Sequence, residues 1–162
     1  MKGDGSMLEK VQNRSVINYF QVEFLSVPEN VGLSRVAAAS FAAQLDLTLN
    51  DLEEIKIAVS EAVSNAIIHG YNNKPIGKVW VSMILYEQIM EIIVRDEGRG
   101  IEDIEKALSA AYSTDPERMG LGFVFMKSFM DELEVNSHKG GGTTVKMSKK
   151  ISPLKMSPKE KG

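Results

Sequence analysis

The segment Val94-Arg95-Asp96-Glu97-Gly98-Arg99-Gly100-Ile101 puts a carboxylate where an apolar side chain belongs. Met90, Ile92, Val94 and Asp96 occupy the even positions of one predicted strand, so Asp96 faces inward at its end. A carboxylate aimed into an apolar layer is costly unless something donates to it. The alternative is that the strand ends early and Asp96 caps the turn. Gly98 and Gly100 let the backbone approach a ligand closely, as they would serve any turn. A second glycine pair, in Met119-Gly120-Leu121-Gly122-Phe123, leads straight into a predicted helix. Free N–H groups at a helix start favour phosphate, and glycines remove the side chains that would block it. Arg118, just before this pair, can reach the same phosphates or stand solvated. In Gly140-Gly141-Gly142-Thr143-Thr144-Val145, the odd positions Thr143, Val145 and Met147 face inward. The Thr143 hydroxyl then needs a partner, which neighbouring backbone can supply.

Glu61 and Asn65 belong to Ser60-Glu61-Ala62-Val63-Ser64-Asn65-Ala66-Ile67-Ile68-His69-Gly70 and share one helix face with Ala58 and Ile68. Leu52, Ile55, Val59, Val63 and Ala66 form a separate core stripe. A solvent face can carry a Glu and an Asn, but small Ala58 and bulky Ile68 beside them suit a wall that something packs against.

These residues need a scaffold, and the pattern predicts one. Phe20, Val22 and Phe24 alternate with Gln21 and Glu23 as a half-buried strand. An alanine-rich helix follows over about 29–45. A second helix, capped by Asn50 or Asp51, runs to about His69 with Gly70 as its stop. Two strands come next, with inner faces Val79, Val81, Met83, Leu85 and Met90, Ile92, Val94, joined by a turn near Glu87-Gln88. A short helix over 103–111, a polar loop over 112–119 and a helix over about 121–131 lead to final strands at 133–137 and 143–151. The order β-α-α-β-β-α-α-β-β predicts an α+β fold, a two-layer sandwich with helices on one face of a mixed, mostly antiparallel sheet.

A chain of 162 residues has room for one such domain. Residues 1–18 read as a leader, partly disordered, and 152–162 as a disordered basic tail. The absence of cysteine excludes disulfides and thiolate metal sites, and two histidines, His69 and His138, exclude a multi-histidine metal centre. Residues 1–138 carry 12 basic and 21 acidic side chains, an acidic body that argues against a broad nucleic-acid footprint. No apolar run is long enough to span a bilayer, and the start lacks the apolar stretch of a signal peptide, so the reading is cytoplasmic, with no membrane partner.

Four ordered boxes, the Glu61/Asn65 helix, Asp96-x-Gly98-x-Gly100, the Gly120/Gly122 pair and the late Gly142-Thr143 strand, resemble the ATPase superfamily of gyrase, the heat-shock chaperone ATPase, histidine kinases and the mismatch-repair ATPase. The likeness covers roughly residues 18–151. The wording S-E-A-V-S-N-A-I-I-H-G-Y, R-D-E-G-R-G-I, M-G-L-G-F and F-M-D-E resembles, more narrowly, the small anti-sigma factor serine kinases, and among them the sporulation type over the general-stress type.

The resemblance implies an ATP-binding kinase domain over 19–151. Glu61 would be the catalytic base toward a partner serine, and Asn65 the Mg²⁺ ligand. Asp96 would receive the adenine amino group with Thr143 in support. Gly98, Gly100, Gly120 and Gly122 would surround the nucleotide, and Arg118 would contact phosphate. Arg35 would contact protein partners, and the early strand and first helix would form a homodimer face. The implied partners are a sigma factor, which the protein inhibits, and an anti-anti-sigma factor, which it phosphorylates on serine. A nucleotide-gated sigma-binding module without kinase activity is the alternative.

Overall fold

A computed structural model of the chain describes residues 14–109 and 119–152. The first described element is β1 (Val16–Leu25), beginning inside the segment read as a leader, and α1 (Glu29–Ala42) and α2 (Leu49–Asn65) follow. β2 (Lys78–Tyr86) and β3 (Ile89–Asp96) form a hairpin, followed by α3 (Ile104–Ser109), α4 (Met119–Phe129), β4 (Glu132–Ser137) and β5 (Thr143–Lys150). The strands lie in the order β1-β2-β3-β5-β4, and among the described residues every pairing is antiparallel, where the sequence pattern left room for a mixed sheet. The α+β sandwich is as the sequence predicts.

The core lies between the helices and one sheet face. Ile55, Val59 and Val63 of α2 and Phe123 and Met126 of α4 meet Val81, Met83, Ile92 and Met147 of the sheet. Each strand contributes alternate residues, which is why period-two spacing locates this layer. Phe20 of β1 packs on Phe41 of α1 with ring centroids 5.0 Å apart. On α1 the buried residues are the small Ser34, Ala38 and Ala42, four apart, which lets the helix lie close to its neighbours.

The α2 helix starts at a cap earlier than Asn50 or Asp51. The Thr48 hydroxyl accepts from the Asp51 N–H at 3.1 Å, and the Asp51 carboxylate accepts from the Thr48 N–H at 2.9 Å, a reciprocal box. At the other end the helix widens into a π-helical turn over Ala66–Gly70. Gly70 is not the stop. The chain turns at Asn72 and Asn73, with φ of 54° and 58°, the left-handed region that asparagine tolerates. The predicted loop over 112–119 and the end of the short helix before it lie largely outside the described residues.

Candidate functional site

Asp96, Thr143 and Ser137 stand abreast on one rung of the sheet, with Asp96 paired to Thr143 across β3–β5 and Thr143 to Ser137 across β5–β4. Asp96 is 6% exposed, so it faces inward at the end of its strand. Its Oδ1 accepts from the Gly98 N–H at 2.9 Å. Burial drives the carboxyl up to about 6, with the backbone N–H groups of Gly98 and Thr143 holding back part of the rise. The Thr143 hydroxyl finds its partner in Ser137, at 2.7 Å between oxygens.

Close packing of backbone explains the glycines. A Cβ on Gly98 would overlap the Gly70 carbonyl, and one on Gly142, where φ is +71°, would overlap the Asp96 carbonyl. A Cβ on Gly70 would lie 3.0 Å from Asp96 Oδ1, so this glycine makes room for the carboxylate.

Three side chains that the sequence did not single out tie these loops together. The Tyr71 hydroxyl donates to the Lys78 carbonyl and accepts from the Glu97 N–H, both at 2.7 Å. Arg99 donates from Nε to the His69 carbonyl at 2.6 Å and from its backbone N–H to Gly70 at 3.0 Å, closing the end of the π turn. Ser137 accepts from the Ile101 N–H at 2.7 Å. Strand parity offered a signal for Ser137, since Leu133, Val135 and Ser137 alternate inward. Nothing local marks Tyr71 or Arg99, whose partners come from separate turns.

Glu61 and Asn65 lie on the face of α2 against which α4 packs. A Cβ on Gly122 would stand 2.8 Å from Glu61 Oε2 and 3.3 Å from Asn65 Nδ2. The wall inferred from the sequence is therefore partly covered by the glycine-bearing start of α4, which contains Gly120 and Gly122. Ala58 is fully buried, while Ile68, on the widened turn, is 43% exposed. Burial raises the Glu61 carboxyl above its ordinary range. Asn65 Nδ2 is buried without a hydrogen-bond partner, the one such side-chain atom among the described residues. A cavity of about 20 Å³, room for one water, is lined by Asn65 of α2 together with Gly70, Asp96, Gly100, Phe123 and Thr143 among others.

Arg35 stands apart on α1, with its guanidinium 3.9 Å from the Glu53 carboxylate, flanked by the exposed Leu33 and Val36. Arg118 lies outside the described residues. Among those residues no group of acidic, histidine or cysteine side chains could by itself hold a metal ion.

Residues 24–149 match the histidine kinase-like ATPase domain. The chain is 48% identical over 140 residues to the anti-sigma F factor of Oceanobacillus iheyensis, a match covering 85% of this chain and 96% of that protein. The Geobacillus kaustophilus anti-sigma F factor is 49% identical and that of Bacillus subtilis 44%, with the same coverage. Among solved structures, the RsbU and RsbW domains of a Mycobacterium tuberculosis protein share the fold with a TM-score of 0.61 at 19% identity, over 85% of this chain and 33% of that one.

Proposed function

The chain belongs to the histidine kinase-like ATPase family, and within it to the anti-sigma F factors, and we propose that it binds and inhibits a sporulation sigma factor. It also uses ATP to phosphorylate the anti-anti-sigma factor on a serine, which inactivates that antagonist. The observation that carries the reading is the arrangement along one cleft. Asp96, Thr143 and Asn65 line it together, and Glu61 lies one helical turn before Asn65 on α2.

In this reading the inward Asp96 accepts the adenine amino group, with Thr143 beside it. Gly98 and Gly100 let the backbone approach the nucleotide, and the N–H groups at the start of α4, freed by Gly120 and Gly122, face its phosphates. Arg118 precedes them in the chain and adds positive charge. Asn65 suits a hard cation: turning its orphaned amide over presents Oδ1 in place of Nδ2, an oxygen ligand of the kind Mg²⁺ takes. When bound, that ion supplies charge neutralisation at the phosphate oxygens. Glu61 takes the proton from the partner's serine as its oxygen bonds to the γ-phosphorus and the bond to ADP breaks. Burial makes this carboxylate a stronger base than an exposed glutamate.

Arg35 and its exposed apolar neighbours on α1 face the protein partners, and the active form is a homodimer. No described helix is long and apolar enough to cross a membrane. A sigma-factor partner places the work in the cytoplasm.

The test is intact-mass analysis of an anti-anti-sigma factor after incubation with the protein and Mg-ATP, with Glu61→Gln alongside. One added phosphate on a serine is expected, formed about 10²–10⁴-fold more slowly by the variant. No phosphate, from a protein that binds ATP and sigma factor, would instead make the chain a nucleotide-gated binding module.

A further inference from the structure

Ser137 makes three contacts through a single hydroxyl, and their chemistry leaves one arrangement of protons. A serine hydroxyl has one proton to donate and two lone pairs to accept with. The Ile101 N–H, at 2.7 Å, donates to it. The Gly142 carbonyl, at 2.9 Å, cannot donate and so receives the serine proton. The contact with Thr143 Oγ1, at 2.7 Å, must therefore be donated by Thr143. With its proton held by Ser137, the threonine hydroxyl has only lone pairs left for the cleft. Beside it on the same rung stands Asp96, which has acceptors alone when ionised.

We propose that Ser137 is a positioning residue for base selection: by binding the Thr143 proton it makes this end of the cleft an array of acceptors, matched to a purine with a 6-amino group and mismatched to a 6-oxo purine. The inference rests on the cleft being the ATP site. It adds a determinant from a third strand, one that never touches the base. Without the Ser137 hydroxyl the Thr143 proton is free to turn into the cleft, where it opposes an amino group and welcomes an oxo group.

The experiment is calorimetric titration of the full chain with Mg-ATP and with Mg-ITP, which differ at purine position 6. The native protein, Ser137→Val and Ser137→Thr are compared. The native chain is expected to favour ATP. In Ser137→Val the ratio of the two affinities should fall about tenfold, the worth of one hydrogen bond, while Ser137→Thr should keep the native ratio. A merely structural role would weaken both nucleotides equally. A native ratio in Ser137→Val, whatever the absolute affinities, therefore overturns the proposal. If the native chain binds no ATP, or binds ATP and ITP alike, the reading of the cleft fails and the proposal falls with it, an outcome separate from the first. Should valine abolish the cooperative thermal transition, Ser137→Ala makes the same comparison without added bulk.

Discussion

Asp96 ionises at about 6 in the folded chain, against 3.8 for an ordinary aspartate, because burial disfavours its charge more than two N–H donors favour it. Between those two values the folded chain still holds a proton that the unfolded chain has released, so this group makes stability fall as pH rises through the window. A rise of about two units corresponds to roughly 3 kcal/mol, fully present as a cost above the folded midpoint and absent below the unfolded one. Asp96→Asn removes the titration. Relative to the native chain its stability should improve by about 2–3 kcal/mol between pH 4 and pH 8, as urea unfolding at the two pH values would measure. A difference that does not change with pH would contradict the buried-carboxylate account. Under the proposed adenine contact, the same substitution should abolish the preference for ATP, since an amide whose Oδ1 stays on the Gly98 N–H turns its Nδ2 donor toward the base. The inward direction of Asp96 and Thr143 was legible because side-chain direction in a strand depends on parity alone. Ser137 obeys the same parity, but its meaning depends on which residue stands opposite across β4–β5, and a single sequence does not state register.

The contact between α2 and α4 converts a glycine into a positional constraint. Gly122 sits inside α4, where alanine would ordinarily stabilise the helix by up to about 1 kcal/mol. Its added Cβ would meet Glu61 Oε2 at 2.8 Å, the far end of a flexible side chain, which can yield. Gly122→Ala should therefore unfold at the native temperature or slightly above, while phosphoryl transfer drops on the order of 10²-fold because Glu61, the proposed base, is displaced. Thermal melts and transfer rates measured on the same preparation separate the two effects, and a loss of both together would refute this account. The alternating strands and the α2 core stripe were readable from periodicity, since burial imposes it directly. The π turn over Ala66–Gly70 was not, because it depends on Arg99 and the neighbouring loop holding its carbonyls. The cap of α2 lay in plain sequence as Thr48-Leu49-Asn50-Asp51, with an aspartate where glutamate is the commoner partner. On α1 the usual logic is inverted: the small Ser34 and Ala38 are buried while Leu33 and Val36 are exposed, so hydrophobicity misleads about which face packs.

The two edges of the sheet are guarded differently, and that difference bears on assembly. β4 is six residues long and carries the exposed Glu132 and Glu134, charges that discourage edge-to-edge pairing. β1 is ten residues long and leaves Ile17 48%, Tyr19 68% and Leu25 46% exposed. Its one acidic side chain, Glu23, is already engaged by Lys78 and by the Trp80 indole N–H. A long edge strand with exposed apolar side chains invites a second strand, and α1, which follows directly, adds Leu33 and Val36 to the exposed apolar surface. A second copy of the chain is the partner that fits the homodimer reading, with the β1 edge and α1 as its contact. Sedimentation equilibrium at micromolar concentration should give about twice 17.9 kDa for the native chain. Ile17→Lys with Tyr19→Glu, both at exposed positions outside the core, should give the single mass while leaving ATP binding within about twofold, since neither residue lines the cleft. A native chain of single mass, or a double variant that still pairs, would move the contact away from this edge.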